Sequence, residues 1–433
     1  MKDASLSWLD EIPAHWKIIK VRRCLREHRQ GYYTTDPYVD EGVRLLRITD
    51  LCDSGRVDYS ESPFVEDRAE ITPFLLQEFD FVFARTGGAG LFGMIEEVTE
   101  PLAYASYLIR FRFDGAAKPQ FLRYFFLSSG FQDALKENIH GGVNQNVHAE
   151  DIKDQFLALP HIPEQRRIAA YLDEQTEKID RLMDMRRRQM ALLKEQRSAL
   201  IQQAVTRGLN PDVPMKDSGL PWLGEIPEHW QVRRLKHLSP RQSVGLVINP
   251  STYVVNEGVP FLFGGNISEA QISIDNVRRI SPESNQLLHA SRLNTGDLVT
   301  VRVGYPGVTA VITPELDQCN CASVLIIRRS KAFHSQWLCH IMNSRVGRYQ
   351  VERVQYGAAQ EQFNVSHAVD FVFPSPPIAE QHAIAEHIDE KSYELELLSQ
   401  SYTCQLTLLT EYRAALIHEC VTGQRLIPEA ASL

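Results

Sequence analysis

The sequence predicts an α+β chain. Two globular mixed α/β units alternate with two long helices that pair as an antiparallel coiled coil, the whole forming an internal pseudo-twofold repeat. Three observations carry this. The 433 residues repeat at an offset of about half the chain. Each half passes from a strand-rich part into a run free of Gly and Pro. Those runs place apolar residues at coiled-coil spacing.

The repeat is explicit. Trp8-Leu-Asp-Glu-Ile-Pro-Ala-His-Trp16 returns as Trp222-Leu-Gly-Glu-Ile-Pro-Glu-His-Trp230. Asp80-Phe-Val-Phe-Ala-Arg-Thr-Gly87 matches Asp297-Leu-Val-Thr-Val-Arg-Val-Gly304. Glu164-Gln-Arg-Arg-Ile-Ala matches Glu380-Gln-His-Ala-Ile-Ala. Such self-similarity is the mark of a duplicated unit. It divides the chain into a globular part at 1–159, a helical part at 160–213, a second globular part at 214–375 and a second helical part at 376–433.

Within each globular part, Tyr107–Phe113 and Ser323–Arg328 read as strands bounded by turn residues. Short helices are expected at Pro119–Leu127 and Ser335–Asn343. Each long helix opens at Ile-Pro-Glu-Gln (162–165) or Ile-Ala-Glu-Gln (378–381), with Pro163 suited to a first turn. After that no Gly or Pro occurs until Gly208 and Gly423. The seam of the first helix runs through Ile168, Leu172, Ile179, Leu182, Leu193 and Leu200. That of the second runs through Ile384, Ile388, Leu395, Leu398, Leu409 and Leu416. At ~1.5 Å rise per residue each helix is about 67 Å long and cannot bury its stripe alone. Mutual packing is the economical solution.

Composition excludes several classes. With 43% hydrophobic and 23% charged residues the chain is an ordinary globular protein. No run approaches the ~18 apolar residues of a membrane span. The start has no apolar signal core, and the seven scattered cysteines fit reduced thiols, so a cytoplasmic location is expected. Cys319-Asn-Cys321 lacks a second Cys or His pair at zinc spacing and reads as free buried thiols. The net charge of −9 is uneven: −7 at 1–159, +2 at 160–213, +2 at 214–375 and −6 at 376–433. Opposite signs favour pairing of the two helices with each other over self-pairing. For the acidic first domain to meet a polyanion such as DNA, either Arg22, Arg23, Arg26 and Arg29 gather on one face or partner subunits supply most of the phosphate contacts.

Two globular units alternating with two long helices in tandem resemble the specificity (S) subunit of type I restriction–modification enzymes. The resemblance spans essentially the whole chain. It rests on the repeated Trp-Leu-x-Glu-Ile-Pro-x-His-Trp motif, the Ile-x-Glu-Gln-x-x-Ile-Ala helix start and the Leu-Leu-x-Glu-x-Arg-x-Ala-Leu-Ile helix end. It implies two target recognition domains, each reading half of an asymmetric bipartite duplex DNA target, with the helices as spacer. It also implies docking of methyltransferase (M) subunits, two in number, and of restriction (R) subunits. S-adenosylmethionine would then belong to the M subunits and no cofactor to this chain. The opening motif would dock each globular domain on the helical stem.

The residues offer no competing catalytic constellation. Asn249-Pro-Ser-Thr-Tyr253 departs from the Asn/Asp-Pro-Pro-Tyr/Phe loop of an adenine methyltransferase. Gly87-Gly-Ala-Gly90 lacks both the phosphate-loop Lys-Ser/Thr and the dinucleotide glycine pattern. His140, His148 and His161 are dispersed, and no metal site is assigned. The chain reads as a non-catalytic subunit. Two alternatives stand beside it: a specificity subunit of a related restriction system that cuts outside its site, and a duplicated scaffold or binding module for non-DNA ligands.

Candidate DNA contacts follow from type and position, Arg for guanine and Asn or Gln for adenine. Arg85, with Thr86, and Arg302 occupy equivalent places before glycine loops. They reach a base or phosphate, or else pair with a nearby acid. Asn144, Gln145 and Asn146, and equivalently Gln360, Gln362 and Asn364, form amide-rich segments. Gln145 and Gln360 are assigned to readout, and Asn146 and Asn364 to turn capping. Arg44, Arg47, Tyr104 and Tyr107 in the first domain, with Asn266, Tyr305 and Arg345 in the second, complete the set.

Overall fold

The computed structural model describes residues 1–6, 9–88, 90–137, 146–355 and 362–428. Unit 1 comprises 1–187 with 403–433, and unit 2 comprises 188–402. Each unit thus holds one globular segment, the start of the helix that follows it and the end of the other helix.

The heart of unit 1 is a four-stranded antiparallel sheet made of β1 (Leu25–Gln30), β2 (Phe81–Ala84), β3 (Phe92–Met94) and β4 (Leu108–Phe113). Its spatial order is β1-β4-β2-β3. Leu108 pairs with Ala84 across β4 and β2, and Ile109 pairs with Gln30 across β4 and β1. All four residues of β2 are buried, so this strand reads as an unbroken apolar run. Side chains alternate across a strand. Phe81 and Phe83 therefore join the core beneath α1 (Pro119–Leu127) and α2 (Ser129–Lys136). Val82 and Ala84 meet a second cluster with Leu46, Leu102, Tyr104 and Leu108. The first core is aromatic, with Phe83 and Phe92 centroids 5.2 Å apart and Phe126 and Phe131 4.9 Å apart. Lys17–Lys20 pairs with Phe156–Leu159, whose end leads into α3 (Ile162–Arg207).

Unit 2 repeats the plan. Its sheet has β5 (Gln242–Val244), β6 (Leu298–Val301), β7 (Thr309–Val311) and β8 (Val324–Ile327), in the order β5-β8-β6-β7. Helices α4 (Ser335–Asn343) and α5 (Arg345–Val354) follow, and Gln231–Arg234 pairs with Val372–Ser375 ahead of α6 (Ile378–Thr422). Here the core under the sheet is largely aliphatic, with Leu298, Leu325 and Ile327 against Trp337 and Leu338.

The repeated motifs explain how each globular part is fastened to helix. In unit 1 the fully buried Gln165 accepts a bond from the Lys118 N–H (2.7 Å) through Oε1. It donates through Nε2 to the carbonyls of Pro160 (2.9 Å) and Ala116 (3.3 Å). One residue earlier, Glu164 meets His15 Nε2 at 2.9 Å. Unit 2 does the same. Gln381 accepts from the His334 N–H (2.8 Å) and donates to Pro376 (2.9 Å), while Glu380 meets His229 (2.8 Å) and accepts from Trp230 Nε1 (3.1 Å). A carboxylate in the first helical turn is also favoured by the helix dipole. The expected docking of the opening motif on the stem is this contact.

The helix ends complete the arrangement. Gly423 (φ 75°) ends α6 against Pro13 and Trp16 in unit 1, and Gly208 (φ 74°) ends α3 against Trp230 and Glu380 in unit 2. Both carry the left-handed backbone that glycine adopts at a helix C-terminus. At Gly423 a Cβ would come within 2.4 Å of Pro13.

Helix packing is strong at the ends and weak in the middle. In unit 1 Ile168, Leu172 and Ile179 share a core with Leu416, Ile417, Cys420 and Val421, and Arg413 Nε donates to Asp180 at 3.0 Å. Leu409 packs at its margin. In unit 2 Ile201, Ala204 and Val205 share a core with Ile384, Ala385 and Ile388, with Leu200 at the margin. Leu193 and Leu395 are half-buried. Two expected seam residues are corrected: Leu182 is 42% and Leu398 46% exposed. At Leu182 the ladder fails because Arg186, Gln189 and Gln196 interrupt its apolar positions on α3. Among the described residues no helix is long and apolar enough to cross a membrane.

Gln165→Ala and Gln381→Ala each leave a partly buried backbone N–H, of Lys118 or His334, without its acceptor. Each should lower unfolding stability by about 1–3 kcal/mol, measured by urea denaturation. Exposed Gln400→Ala should leave it within about 0.5 kcal/mol.

Candidate nucleic-acid interface

The central strand of each sheet is pinned at both ends. At its start, buried Asp80 receives Arg112 Nε and Nη2, each at 2.7 Å. Glu27 accepts from Arg110 (2.8 Å) and Arg112 (2.7 Å), and these carboxylates hold the Arg112 guanidinium above its usual range. In unit 2 buried Asp297 accepts from Arg328 Nη1 (2.7 Å) and the Arg329 N–H (2.9 Å). Charge-assisted bonds of this kind fix a strand firmly. The acids were visible in the repeat, but their partners lie some thirty residues on and carry no local signal.

At the far end of the strand the chain turns into a glycine loop and is clasped to the amide segment. In unit 1 Thr86 forms an isolated antiparallel bridge with Asn146, and the Val147 N–H donates to the Arg85 carbonyl (2.8 Å). Thr86 Oγ1 donates to Asn146 Oδ1 at 2.7 Å. In unit 2 Val303 bridges Gln362, and the Phe363 N–H donates to the Arg302 carbonyl (3.2 Å). Arg302 itself donates to the Phe363 carbonyl (Nε, 3.1 Å) and Asn364 Oδ1 (Nη2, 3.2 Å). The structure therefore brings together the two segments that the sequence singled out separately, in both halves. Asn364 makes no side-chain capping bond to the turn of helix that follows it, because its oxygen receives Arg302. Neither Arg85 nor Arg302 pairs with an acid among the described residues.

Beside the clasp in unit 1, Tyr107 is 59% exposed, and its carbonyl accepts the Arg85 N–H at 2.8 Å. In unit 2 Tyr305 stands 82% exposed on the loop after Arg302. Arg345 is exposed at the start of α5.

Other candidates take internal duties. Arg44 donates to Glu100 (2.6 Å) and to the Ser60 and Ser62 carbonyls, with its guanidinium 4.2 Å from the Phe64 ring centre. Arg47 reaches Asp50 (3.3 Å) and the Glu61 carbonyl. Asn266 accepts the Phe263 N–H (3.0 Å) within a local turn. Tyr104 is corrected outright: it is fully buried, its hydroxyl donates to the Arg29 carbonyl (3.2 Å), and it cannot face a ligand. Its strand is covered on both faces, which puts every side chain of Leu102–Tyr104 inside. Asn144, Gln145, Gln360 and His140 lie outside the described residues. The basic face required of the acidic domain is partly committed elsewhere, since Arg22 pairs with Asp154 and Arg29 lies over Phe74. Cys319 and Cys321 are buried free thiols, and burial pushes Cys319 up to about 12.

Burial also pushes the Tyr104 hydroxyl up to about 12. The folded state resists ionising it. Its contribution is intact below the ordinary tyrosine range near ~10 and is lost as pH rises toward 12. Alkaline unfolding curves should therefore fall less steeply between about pH 10 and 12 for Tyr104→Phe than for the wild type. Identical slopes would contradict its burial.

Residues 47–189 match the family described as the type I restriction modification DNA specificity domain. Among curated proteins the chain is similar to the MjaX type I restriction enzyme specificity subunit of Methanocaldococcus jannaschii. They are 24% identical over 303 residues, 67% of this chain and 69% of that one. It is also similar to the EcoKI specificity subunit of Escherichia coli K12, 27% identical over 176 residues, 39% of this chain and 38% of that one. Among solved structures, a chain of a type I R-M system studied for complex assembly and conformational transition superposes with TM-score 0.75. It shows 16% identity and covers 96% of this chain and 100% of that one. The HsdS subunit from Thermoanaerobacter tengcongensis gives 0.58 at 16% identity, covering 98% and 100%. These two share its α+β fold. Residues 47–189 thus carry a type I restriction modification DNA specificity domain, and the chain is similar to specificity subunits of type I restriction enzymes.

Proposed function

We propose that this chain is the DNA-specificity subunit of a type I restriction–modification complex, reading an asymmetric bipartite duplex target in the cytoplasm. The observation that carries the reading is the clasped loop present once in each unit, Thr86 on Asn146 and Val303 on Gln362. Each clasp fixes a glycine loop at the rim of the sheet, with an exposed tyrosine nearby, Tyr107 in unit 1 and Tyr305 in unit 2, and side chains held in place are what base readout needs. The two rims differ in sequence, Arg85-Thr86 against Arg302-Val303 with Tyr305, so the two half-sites differ.

The helices act as the spacer, paired antiparallel. Support comes from the contact of Asp180 on α3 with Arg413 on α6, and from the shared apolar clusters at the helix ends. The chain itself is non-catalytic. M subunits, two of them, carry S-adenosylmethionine and transfer its methyl group to adenine, and R subunits join the same assembly. The helices offer these partners an apolar surface: Leu192, Tyr393, Leu397, Leu408 and Tyr412 are all exposed along their middle stretches. Monomers seldom leave such residues in a row without a partner.

Co-expression with the cognate M subunit should create one bipartite adenine-methylation motif, read by whole-genome methylation sequencing. The motif should vanish when this chain is omitted. No chain-dependent motif, together with DNA binding that is absent or insensitive to salt, would favour the duplicated scaffold instead.

A further inference from the structure

The two clasps are built differently, and among the described residues the difference decides which arginine is bonded. In unit 1 a hydroxyl closes the clasp: Thr86 Oγ1 donates to Asn146 Oδ1 at 2.7 Å. The Arg85 side chain, half-buried at the root of the loop, has no hydrogen-bond or ion-pair partner among the described residues. In unit 2 the position of Thr86 is held by Val303, which has no hydroxyl. There the arginine takes over, and Arg302 spans to the Phe363 carbonyl and to Asn364 Oδ1. A guanidinium with two bonds in place holds fewer donors for a ligand, and moving it would leave those acceptors unmatched.

On the specificity-subunit reading, we infer that the equivalent arginines have diverged: Arg85 contacts duplex DNA, whereas Arg302 is a positioning residue that shapes its own loop. Arg85 presents a whole planar fork of donors, suited to the O6 and N7 of guanine or to a backbone phosphate. Its backbone N–H donates to the Tyr107 carbonyl, and Tyr107 is exposed at the same rim. In unit 2 the exposed group on the equivalent loop is Tyr305, and the arginine at that clasp is already bonded to Phe363 and Asn364. The two half-sites are then read by different chemistries at equivalent positions of the fold.

The test uses the full chain in complex with its M subunit. Binding to a labelled duplex carrying the wild-type methylation motif is titrated against salt, and each variant's methylome is sequenced. Arg85→Ala should weaken binding by roughly tenfold. If Arg85 meets a phosphate, the salt slope should fall by about one with the motif unchanged. If it meets a base, one guanine of the first half-site should become degenerate. Arg302→Ala should keep both the salt slope and the motif while lowering the methylation rate, and Arg302→Lys, which restores a donor to the clasp, should recover that rate. Thr86→Val, which removes the hydroxyl clasp and draws Arg85 inward, should reproduce the binding loss with the arginine still present. Unchanged binding and motif in Arg85→Ala, or a salt slope reduced by Arg302→Ala, would overturn the assignment. A wild-type complex with no motif at all would instead defeat the specificity reading. The salt slopes of the two alanine variants on arbitrary duplex would then still decide which arginine touches DNA.

Discussion

Everything in this fold hangs on a dipeptide, Glu-Gln, in the first turn of each long helix. A globular domain joined to a helix by one peptide bond can swivel unless something crosses the joint. The buried glutamine does so with three bonds in unit 1 and two in unit 2, all to main-chain groups and all on segments before the helix or beside it. A glutamine suits the task because its amide offers donor and acceptor together, and the backbone groups it meets supply the complement. The neighbouring glutamate sits in the first turn, where the helix dipole favours a negative charge, and meets a histidine of the opening motif. With both in place the joint between globular part and helix is crossed by several hydrogen bonds.

The strand between these fixtures is also held by charge. Asp80 with Arg112, and Asp297 with Arg328, are ion pairs whose acid is almost wholly buried. Such pairs are poor sources of net stability but demand one geometry. The loop that follows is therefore aimed by a buried salt bridge at one end of the strand and by a clasp at the other. Preorganisation of this kind is what lets a few side chains discriminate between bases.

Much of this was legible in the sequence. The repeat, the long helices and their starts are written in contiguous motifs, because helix starts and opening motifs act locally or on one another. Arg85 and Arg302 were found as equivalent, and the amide segments as their counterparts. Their divergence was hidden, because it depends on whether the adjacent residue carries a hydroxyl, and that matters only once residue 146 lies opposite residue 86. Tyr104 misled for a related reason. A tyrosine between turns looks available, but its strand is sandwiched between two layers, and only the three-dimensional arrangement reveals the second layer. Leu182 departs because its heptad ladder runs on through polar rungs, Arg186 and Gln189, whereas Leu398, between Leu395 and Tyr402, is exposed without such a local reason. Spacing alone does not bury a residue when its neighbours on the ladder are arginine and glutamine.

The division of the helices between units reverses the usual order of assembly. Unit 2 is one continuous stretch, residues 188–402, whereas unit 1 needs residues 1–187 and also Leu416, Ile417, Cys420 and Val421 in its core. Chains emerge from the ribosome amino end first, and domains ordinarily fold in that order. Here the globular part made first must wait with Ile168 and Leu172 uncovered, while the part made second already has every strand and helix end it needs. The first globular part is thus completed last, and a nascent chain carries its unfinished apolar stripe until residues 416–421 cover it.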